Sequence, residues 1–99
     1  MSGRGTTMSE LAGKAGIVTG AGVGIGRAIA MAMAAAGARV VAADLNTETA
    51  SETVALIESA GGEAVAFTAD VSQEAQVQAL VACCTDHFGA LDIACNSAA

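Results

Sequence analysis

Four short apolar runs alternate with longer stretches in which apolar residues recur every three or four positions. Apolar runs of this length are typical of strands that are buried on both faces of a parallel sheet. The spacing of three or four residues predicts helices between these strands. The predicted strands are residues 15–19, 39–44, 64–69 and 91–95.

Each predicted helix has residues suited to its ends and an apolar face. The first helix follows a glycine-rich turn and ends at Gly37, the second is capped by Asn46 or Thr47, and the third is capped by Ser72. The expected buried faces are Ile25, Ile29, Ala32, Met33 and Ala36 in the first helix, Ala50, Val54 and Ile57 in the second, and Val77, Leu80, Val81, Cys84 and Phe88 in the third.

The order of these elements predicts an α/β fold, the N-terminal half of a doubly wound Rossmann-type parallel sheet. Right-handed crossovers favour the strand order 3-2-1-4. Strand four would then have an outer edge that no later strand covers, and complete domains normally cover such an edge. We therefore expect an incomplete sheet. Residues 11–99 would form a truncated NAD(P)-binding half-domain, preceded by a flexible leader at residues 1–10.

Charge and cysteine content narrow the function and the location. The net charge is −6 with only four Lys and Arg residues, which disfavours nucleic acid and anionic membranes as partners. The three cysteines, Cys83, Cys84 and Cys95, form no CxxC pair, and the first ten residues contain no apolar signal sequence. We therefore expect reduced thiols and a cytoplasmic location.

The segment TGAGVGIG, residues 19–26, joins the first strand to the first helix. A helix N-terminus offers unpaired N–H groups and a partial positive charge, and both suit an anion such as a phosphate. The glycines fit G-x-G-x-G in two registers, one from Gly20 and one from Gly22. By itself the string also fits a tight turn that holds no ligand.

Asp44 closes the second predicted strand, where a carboxylate can accept hydrogen bonds from the ribose hydroxyls of a dinucleotide. The same carboxylate would repel a 2′-phosphate about 4 Å away by roughly 4 kcal/mol before screening. Residues 45–47 and Val23 supply no compensating cation, and Arg39 lies at the opposite end of the strand. We therefore expect NAD to be preferred over NADP, although Asp44 could also serve as a loop or helix-capping carboxylate.

These motifs together resemble the N-terminal part of the classical short-chain dehydrogenases/reductases. The matching segments are LAGK at 11–14, TGAGVGIGRAIA at 19–30, Asp44, DV at 70–71 and FGALDI at 88–93. The resemblance covers residues 11–99. It implies an NAD-dependent oxidoreductase in which Gly20, Gly24 and Gly26 are the glycines that serve the cofactor.

The resemblance also implies further cofactor-binding residues. Asp70 and Val71 would border the adenine, unless Asp70 only caps the next helix. Asn96 matches the first residue of the family's Asn-Asn-Ala-Gly and would tie neighbouring strands together, whereas Ser97 and Ala99 replace its second Asn and its Gly. The expected cofactor-binding residues are Thr19, Gly20, Gly22, Val23, Gly24, Ile25, Gly26, Asp44, Leu45, Asp70, Val71, Asn96 and Ser97.

The catalytic residues of that family have no counterpart in this chain. The family uses a Tyr, a Lys four residues later and a Ser, whereas this sequence has no Tyr and its single Lys, Lys14, precedes the first strand. We therefore expect no catalysis from these 99 residues alone. His87 is expected to be structural, and no spacing suggests a metal site. A complete chain would act on a small-molecule substrate and would be a homo-oligomer, as is common in the family.

Two other functions stay open at this stage. One is a stand-alone nucleotide-binding module without catalysis, which would need a partner over strand four. The other is half of an S-adenosylmethionine-dependent methyltransferase, because that class also uses a glycine turn and an acidic residue at the end of strand two.

Overall fold

Four parallel strands form one sheet in the computed structural model, which describes residues 10–97. They are β1 (Ala15–Thr19), β2 (Arg39–Asp44), β3 (Glu63–Thr68) and β4 (Ile93–Asn96), with α1 (Gly24–Ala35), α2 (Thr47–Ser59) and α3 (Glu74–Phe88) between them. The strand order is β3-β2-β1-β4. This order confirms the predicted Rossmann-type fold. The leader predicted at residues 1–10 falls, apart from Glu10, outside the described residues, as do Ala98 and Ala99.

The helices cover the two faces of the sheet. Ala30 and Met33 of α1 and Ile57 of α2 pack on one face, in a cluster that includes Val18 of β1. Leu80, Cys84 and Phe88 of α3 pack on the other face. Since neighbouring residues of a strand point to opposite faces, β1 and β2 contribute to both clusters. β4 pairs only with β1 within the described residues.

The predicted buried face of α1 is correct only in part: Met33 is buried and Ile29 packs against the core, as expected. The buried residues are Gly26, Ala30 and Met33, whereas Ala32 is exposed and Ile25 retains 76% of its accessible surface. The reason is the close approach of α1 to Gly20 at Gly26. The residues on the same helix face as Gly26, which are Ala30 and Met33, therefore point toward the sheet.

The faces of the other helices are largely as predicted. In α2, Ala50 and Ile57 are buried, but Thr53 takes the buried place that was expected for Val54. In α3, Leu80, Cys84 and Phe88 are buried. Val77 and Val81 instead line an open cavity beside β4.

The start of α3 and the bounds of β3 and β4 differ from the predictions, whereas the start of α2 agrees. Asn46 caps α2 as expected, since its Oδ1 accepts from the N–H groups of Glu48 and Thr49. Ser72 does not cap α3. Its hydroxyl donates instead to Asp70 Oδ1 at 2.6 Å, and the helix begins only at Glu74. β3 begins and ends one residue earlier than predicted, and β4 spans 93–96 instead of 91–95.

Candidate functional site

The carboxyl ends of the four strands lie along one edge of the sheet. Thr19 of β1 is in register with Ala43 of β2 and with Asn96 of β4, and Asp44 is in register with Thr68 of β3. Ligands of open parallel sheets bind at this edge. The structure therefore brings the predicted site residues of all four strand ends together.

The glycine-rich turn lies at this edge, between the carboxyl end of β1 and the start of α1. Gly20 has φ +68° and Gly24 has φ +58°, values that L-residues rarely adopt. Between them the chain is held to β2, because the Ala21 N–H donates to the Ala43 carbonyl at 2.9 Å. The turn leaves the strand and enters α1 within four residues.

Among residues 10–97, no side chain caps the N-terminus of α1. Val23 precedes the helix and makes no side-chain cap, and the first turn contains no acidic residue. By contrast, α2 and α3 carry Glu48 and Glu74 in their first turns. Because the first N–H groups of a helix have no intrahelical acceptor, the start of α1 is suited to a phosphate. The apolar side chains of Val23 and Ile25 are exposed beside it.

Gly22 and Asp44 are in direct contact. The Gly22 N–H donates to Asp44 Oδ2 at 2.8 Å, and the Asn46 N–H donates to Oδ1 at 3.1 Å. A Cβ at position 22 would lie 2.9 Å from Asp44 Oδ2 and 2.8 Å from Thr49 Cβ. Gly22 is therefore required by packing, although the resemblance selected only the other three glycines of the turn.

The start of α1 is also packed against the end of β4. A Cβ on Gly26 would overlap the Gly20 carbonyl oxygen and would lie 2.5 Å from Ser97 Oγ. Ser97 Oγ donates to the Thr19 carbonyl at 2.6 Å, and Thr19 Oγ1 donates to Asn96 Oδ1 at 2.8 Å. Asn96 and Ser97 thus connect β4 to β1, which agrees with the tie expected for Asn96.

A groove of about 200 Å³ lies between the glycine turn and the ends of β2 and β3. Asp44 and Asp70 both line it. Asp70 Oδ1 accepts from the Ser72 hydroxyl and from the Ser72 N–H at 3.0 Å. These two hydrogen bonds lower the pKa of Asp70. The lining residues are Gly20, Ala43, Asp44, Leu45, Ala69, Asp70, Val71 and Ser72.

Several titratable residues lie away from this edge. His87 is in the last turn of α3, where its Nδ1–H donates to the Cys83 carbonyl at 2.9 Å. Burial, and then Asp86, raise the pKa of the Cys83 thiol, so it stays protonated near neutral pH. The three cysteines are free. No group of three or more His, Cys, Asp and Glu side chains that could hold a metal occurs among residues 10–97.

Two residues that support the turn were missed by the sequence analysis. Thr53 is fully buried and its hydroxyl donates to the Ala21 carbonyl at 2.7 Å. Arg27 Nε–H donates to Thr53 Oγ1 at 2.9 Å. The only sequence signal was a Thr at helical spacing between Ala50 and Ile57, on the apolar face of α2.

Comparisons with known proteins identify the family. The family model described as short chain dehydrogenase matches residues 14–99. A curated relative, the 2,5-dichloro-2,5-cyclohexadiene-1,4-diol dehydrogenase of Sphingobium indicum, is 49% identical over 93% of this chain and 36% of its own length. The chain spans about a third of the length of the curated relatives it matches.

Solved structures agree with the sequence comparison. The hydroxysteroid dehydrogenase from Escherichia coli superposes with a TM-score of 0.88 at 40% identity, over 92% of this chain and 39% of its own. A 7α-hydroxysteroid dehydrogenase complexed with NADH and 7-oxo glycochenodeoxycholic acid gives 0.87 at 38% identity, over 94% of this chain and 36% of its own. On the matched sequence, the parallel sheet and the glycine turn, this chain belongs to the short-chain dehydrogenase family.

Proposed function

We propose that this chain is the NAD-binding part of a short-chain oxidoreductase and that NAD lies along the carboxyl edge of the sheet. The observation that carries the proposal is the uncapped N-terminus of α1 beside Asp44, at the ends of two adjacent strands. Members of the family use a nicotinamide dinucleotide, and one structural relative is a complex with NADH.

The diphosphate of the cofactor would bind the glycine turn and the first N–H groups of α1. A Cβ on Gly24 would have no atom of residues 10–97 within 4 Å, so the backbone faces open space in the described part of the chain. The partial positive charge of the helix N-terminus favours the diphosphate, and no first-turn carboxylate opposes it. Val23 and Ile25 would contact the cofactor through their exposed side chains and their backbone.

Asp44 would accept hydrogen bonds from the adenosine ribose hydroxyls. Its carboxylate is held in place by the N–H groups of Gly22 and Asn46, and each oxygen has a further lone pair for a ligand. Repulsion of a 2′-phosphate by this carboxylate supports NAD over NADP.

Neither arginine within residues 10–97 is available to offset that repulsion. Arg27 is engaged by Thr53, by the Thr49 carbonyl and by Glu52, with which it forms an ion pair at 3.0 Å. Arg39 lies at the amino end of β2, where it donates to the Gly13 carbonyl and stacks over the Phe88 ring.

The remaining predicted residues would complete the cofactor site. Asp70, Val71 and Leu45 line the groove that would hold the adenosine. Asp70 is a carboxylate near neutral pH even at its ordinary pKa, which the Ser72 hydrogen bonds lower further, and it can accept from the adenine amino group. Thr19, Asn96 and Ser97 stand at the ends of β1 and β4, where the nicotinamide half would lie.

When bound, NAD supplies hydride transfer to or from an alcohol or carbonyl carbon. This chain's own residues would bind and orient the cofactor, and the groups that handle the substrate proton would come from elsewhere. The sequence contains no Tyr, and Lys14 precedes β1 at the opposite edge of the sheet. We propose that the 99 residues bind NAD without turning over substrate.

We also propose the substrate class, the assembly, the partners and the location of the complete protein. It would act on a small-molecule alcohol or carbonyl substrate and assemble as a homo-oligomer. The net charge of −6 argues against nucleic acid and anionic membranes as partners. No helix in the described part of the chain is long and apolar enough to cross a membrane. The three free thiols support a cytoplasmic location.

Calorimetric titration of the chain with NAD, NADP and S-adenosylmethionine tests this proposal. We expect one NAD per chain, weaker binding of NADP and no binding of S-adenosylmethionine. Binding of S-adenosylmethionine without binding of either nucleotide would overturn the proposal in favour of a methyltransferase. Equal affinity for NAD and NADP would overturn the cofactor preference. Tight self-association with bound NAD, and with β4 covered in the assembly, would favour a stand-alone binding module.

A further inference from the structure

The hydroxyl of Thr53 is a buried polar group at the centre of a hydrogen-bond network. Thr53 is 0% exposed because it lies on the face of α2 that packs against the sheet, and its polar hydroxyl is buried there. A buried Thr within a helix usually bonds to the carbonyl four residues earlier, because no other acceptor is near. Here the Thr49 carbonyl is 3.2 Å from Oγ1, and the Ala21 carbonyl of the glycine turn is closer, at 2.7 Å.

The hydrogen-bond directions in this network follow from the chemistry of the groups. A hydroxyl has one proton to donate, and a guanidinium can only donate. Arg27 Nε–H therefore donates to Thr53 Oγ1, and the Thr53 hydroxyl donates its proton to the Ala21 carbonyl. The ion pair of Arg27 with Glu52 holds the guanidinium over α2. One chain of hydrogen bonds thus joins α1, α2 and the turn between β1 and α1.

This network completes the fixation of the turn at residues 21 and 22. The Ala21 N–H is bound by the Ala43 carbonyl and the Gly22 N–H by Asp44, both from β2. The Ala21 carbonyl is bound by Thr53, from α2. The two residues are therefore held by three hydrogen bonds, two from β2 and one from α2, immediately before the start of α1.

We infer that Thr53, oriented by Arg27, is a positioning residue for the diphosphate-binding turn. It acts through the Ala21 carbonyl and does not itself touch the cofactor. The inference rests on the proposed function, because it takes the ligand of the turn to be the diphosphate of a nicotinamide dinucleotide. It also gives Arg27 a supporting role, although its position in the first turn of α1 would suit a phosphate ligand.

Two substitutions distinguish the effect of the Thr53 hydroxyl from the effect of the side chain's size and shape. Thr53→Val removes the hydroxyl and keeps the branched shape, and Thr53→Ser keeps the hydroxyl. Ile57→Val is the matched control, because Ile57 is buried on the same face of α2 and makes no contact with the turn through a polar atom. Each variant is made in the 99-residue chain and compared with the unsubstituted chain.

Hydrogen exchange and ligand affinity are measured on these chains. In Thr53→Val we expect faster exchange of the Ala21 and Gly22 amides, and a loss of NAD affinity of about tenfold, as for one buried hydrogen bond. Adenosine lacks the diphosphate and does not need the turn, so Thr53→Val should change the affinity for adenosine by less than about twofold. Thr53→Ser should restore NAD affinity. Ile57→Val should lower thermal stability and leave the ratio of NAD to adenosine affinity unchanged.

The outcomes separate this inference from the proposed function. Unchanged exchange of the Ala21 and Gly22 amides in Thr53→Val overturns the inference, whether or not NAD binds. Equal losses of NAD and adenosine affinity also overturn it, because they indicate general destabilisation. Failure of the unsubstituted chain to bind NAD overturns the proposed function, while the exchange data still decide whether Thr53 holds the turn.

Discussion

Gly26 of α1 lies so close to Gly20 of the preceding turn that a Cβ on Gly26 would overlap the Gly20 carbonyl oxygen. The obstacle is backbone, so it cannot move away as a flexible side chain could. The helix is therefore able to start directly behind the turn only because residue 26 has no side chain. This contact brings the first turn of α1 against the residue that follows β1.

Gly26→Ala should damage both the fold and the site. We expect a loss of at least about 1–3 kcal/mol of unfolding free energy, the usual range for overpacking, measured by denaturant titration. Ser97→Ala in the same chain removes the second close atom but leaves the Gly20 carbonyl, so it should not rescue stability. A Gly26→Ala chain as stable as the parent would contradict the observed contact.

Gly24 and Gly61 form a matched pair for testing the diphosphate site. Both have positive φ, at +58° and +92°, and an added Cβ at either position would meet no atom of the described residues within 4 Å. Alanine should cost each about 1–2 kcal/mol of stability, because L-residues are strained there. Only Gly24→Ala should weaken NAD binding, by about tenfold or more, since its methyl group enters the space proposed for the diphosphate. Equal NAD affinities in the two variants would place the ligand elsewhere.

Asp44→Ala should reduce the preference for NAD over NADP. The substitution removes hydrogen-bond acceptors for the ribose and the repulsion of a 2′-phosphate. A hydrogen bond to a charged group contributes about 1.5–3 kcal/mol, so NAD affinity should fall by about tenfold or more. Asp92→Ala is the control, because Asp92 also accepts from a backbone N–H, that of Ala15, but at the opposite edge of the sheet. The idea fails if both variants keep the parent's NAD to NADP affinity ratio.

Ser72→Ala should raise the pKa of Asp70 toward its ordinary value of 3.8, because the Ser72 hydroxyl bond lowers it in the parent. A lowered folded-state pKa contributes stability above pH 3.8, and this contribution is lost as the pH falls through the folded-state pKa. The variant should lose less stability in that acid range than the parent does. Carboxyl chemical shifts of Asp70 followed by NMR during an acid titration check the direction. An unchanged pKa would show that the Ser72 N–H alone accounts for the shift.

The sequence predicted the sheet well because a strand that is buried on both faces must be a continuous apolar run, and glycine turns mark the ends of the elements. The order of β1 to β4 follows from the right-handed crossover rule, which does not depend on side-chain detail. The burial of Ile25 was predicted wrongly, and Val54 is only partly buried, for a different reason. Which face of a helix is buried depends on the side from which it approaches the sheet, and here that is set by contacts such as Gly26 to Gly20.

The positions of the site residues were predictable, but their connections were not. Asp44 and the glycine turn were identified from spacing, whereas the bond from Gly22 N–H to Asp44 depends on the path of the turn in three dimensions. Ser72 and Asp70 show the same limit, because either side chain could have capped a helix and instead they bind each other. Thr53 was missed because a Thr on a helix face gives no sign of an acceptor that lies 32 residues earlier in the chain.

The most direct test of the central claim is to map bound NAD by amide chemical shifts in the isotope-labelled chain. We predict changes at residues 20–26 and at the ends of β2 and β3, including Asp44, Leu45, Asp70 and Val71. Changes confined to the apolar cavity between the C-terminal ends of α1 and α2, which Met31, Ile57 and Gly61 line, would contradict the account. So would the absence of any change at saturating NAD.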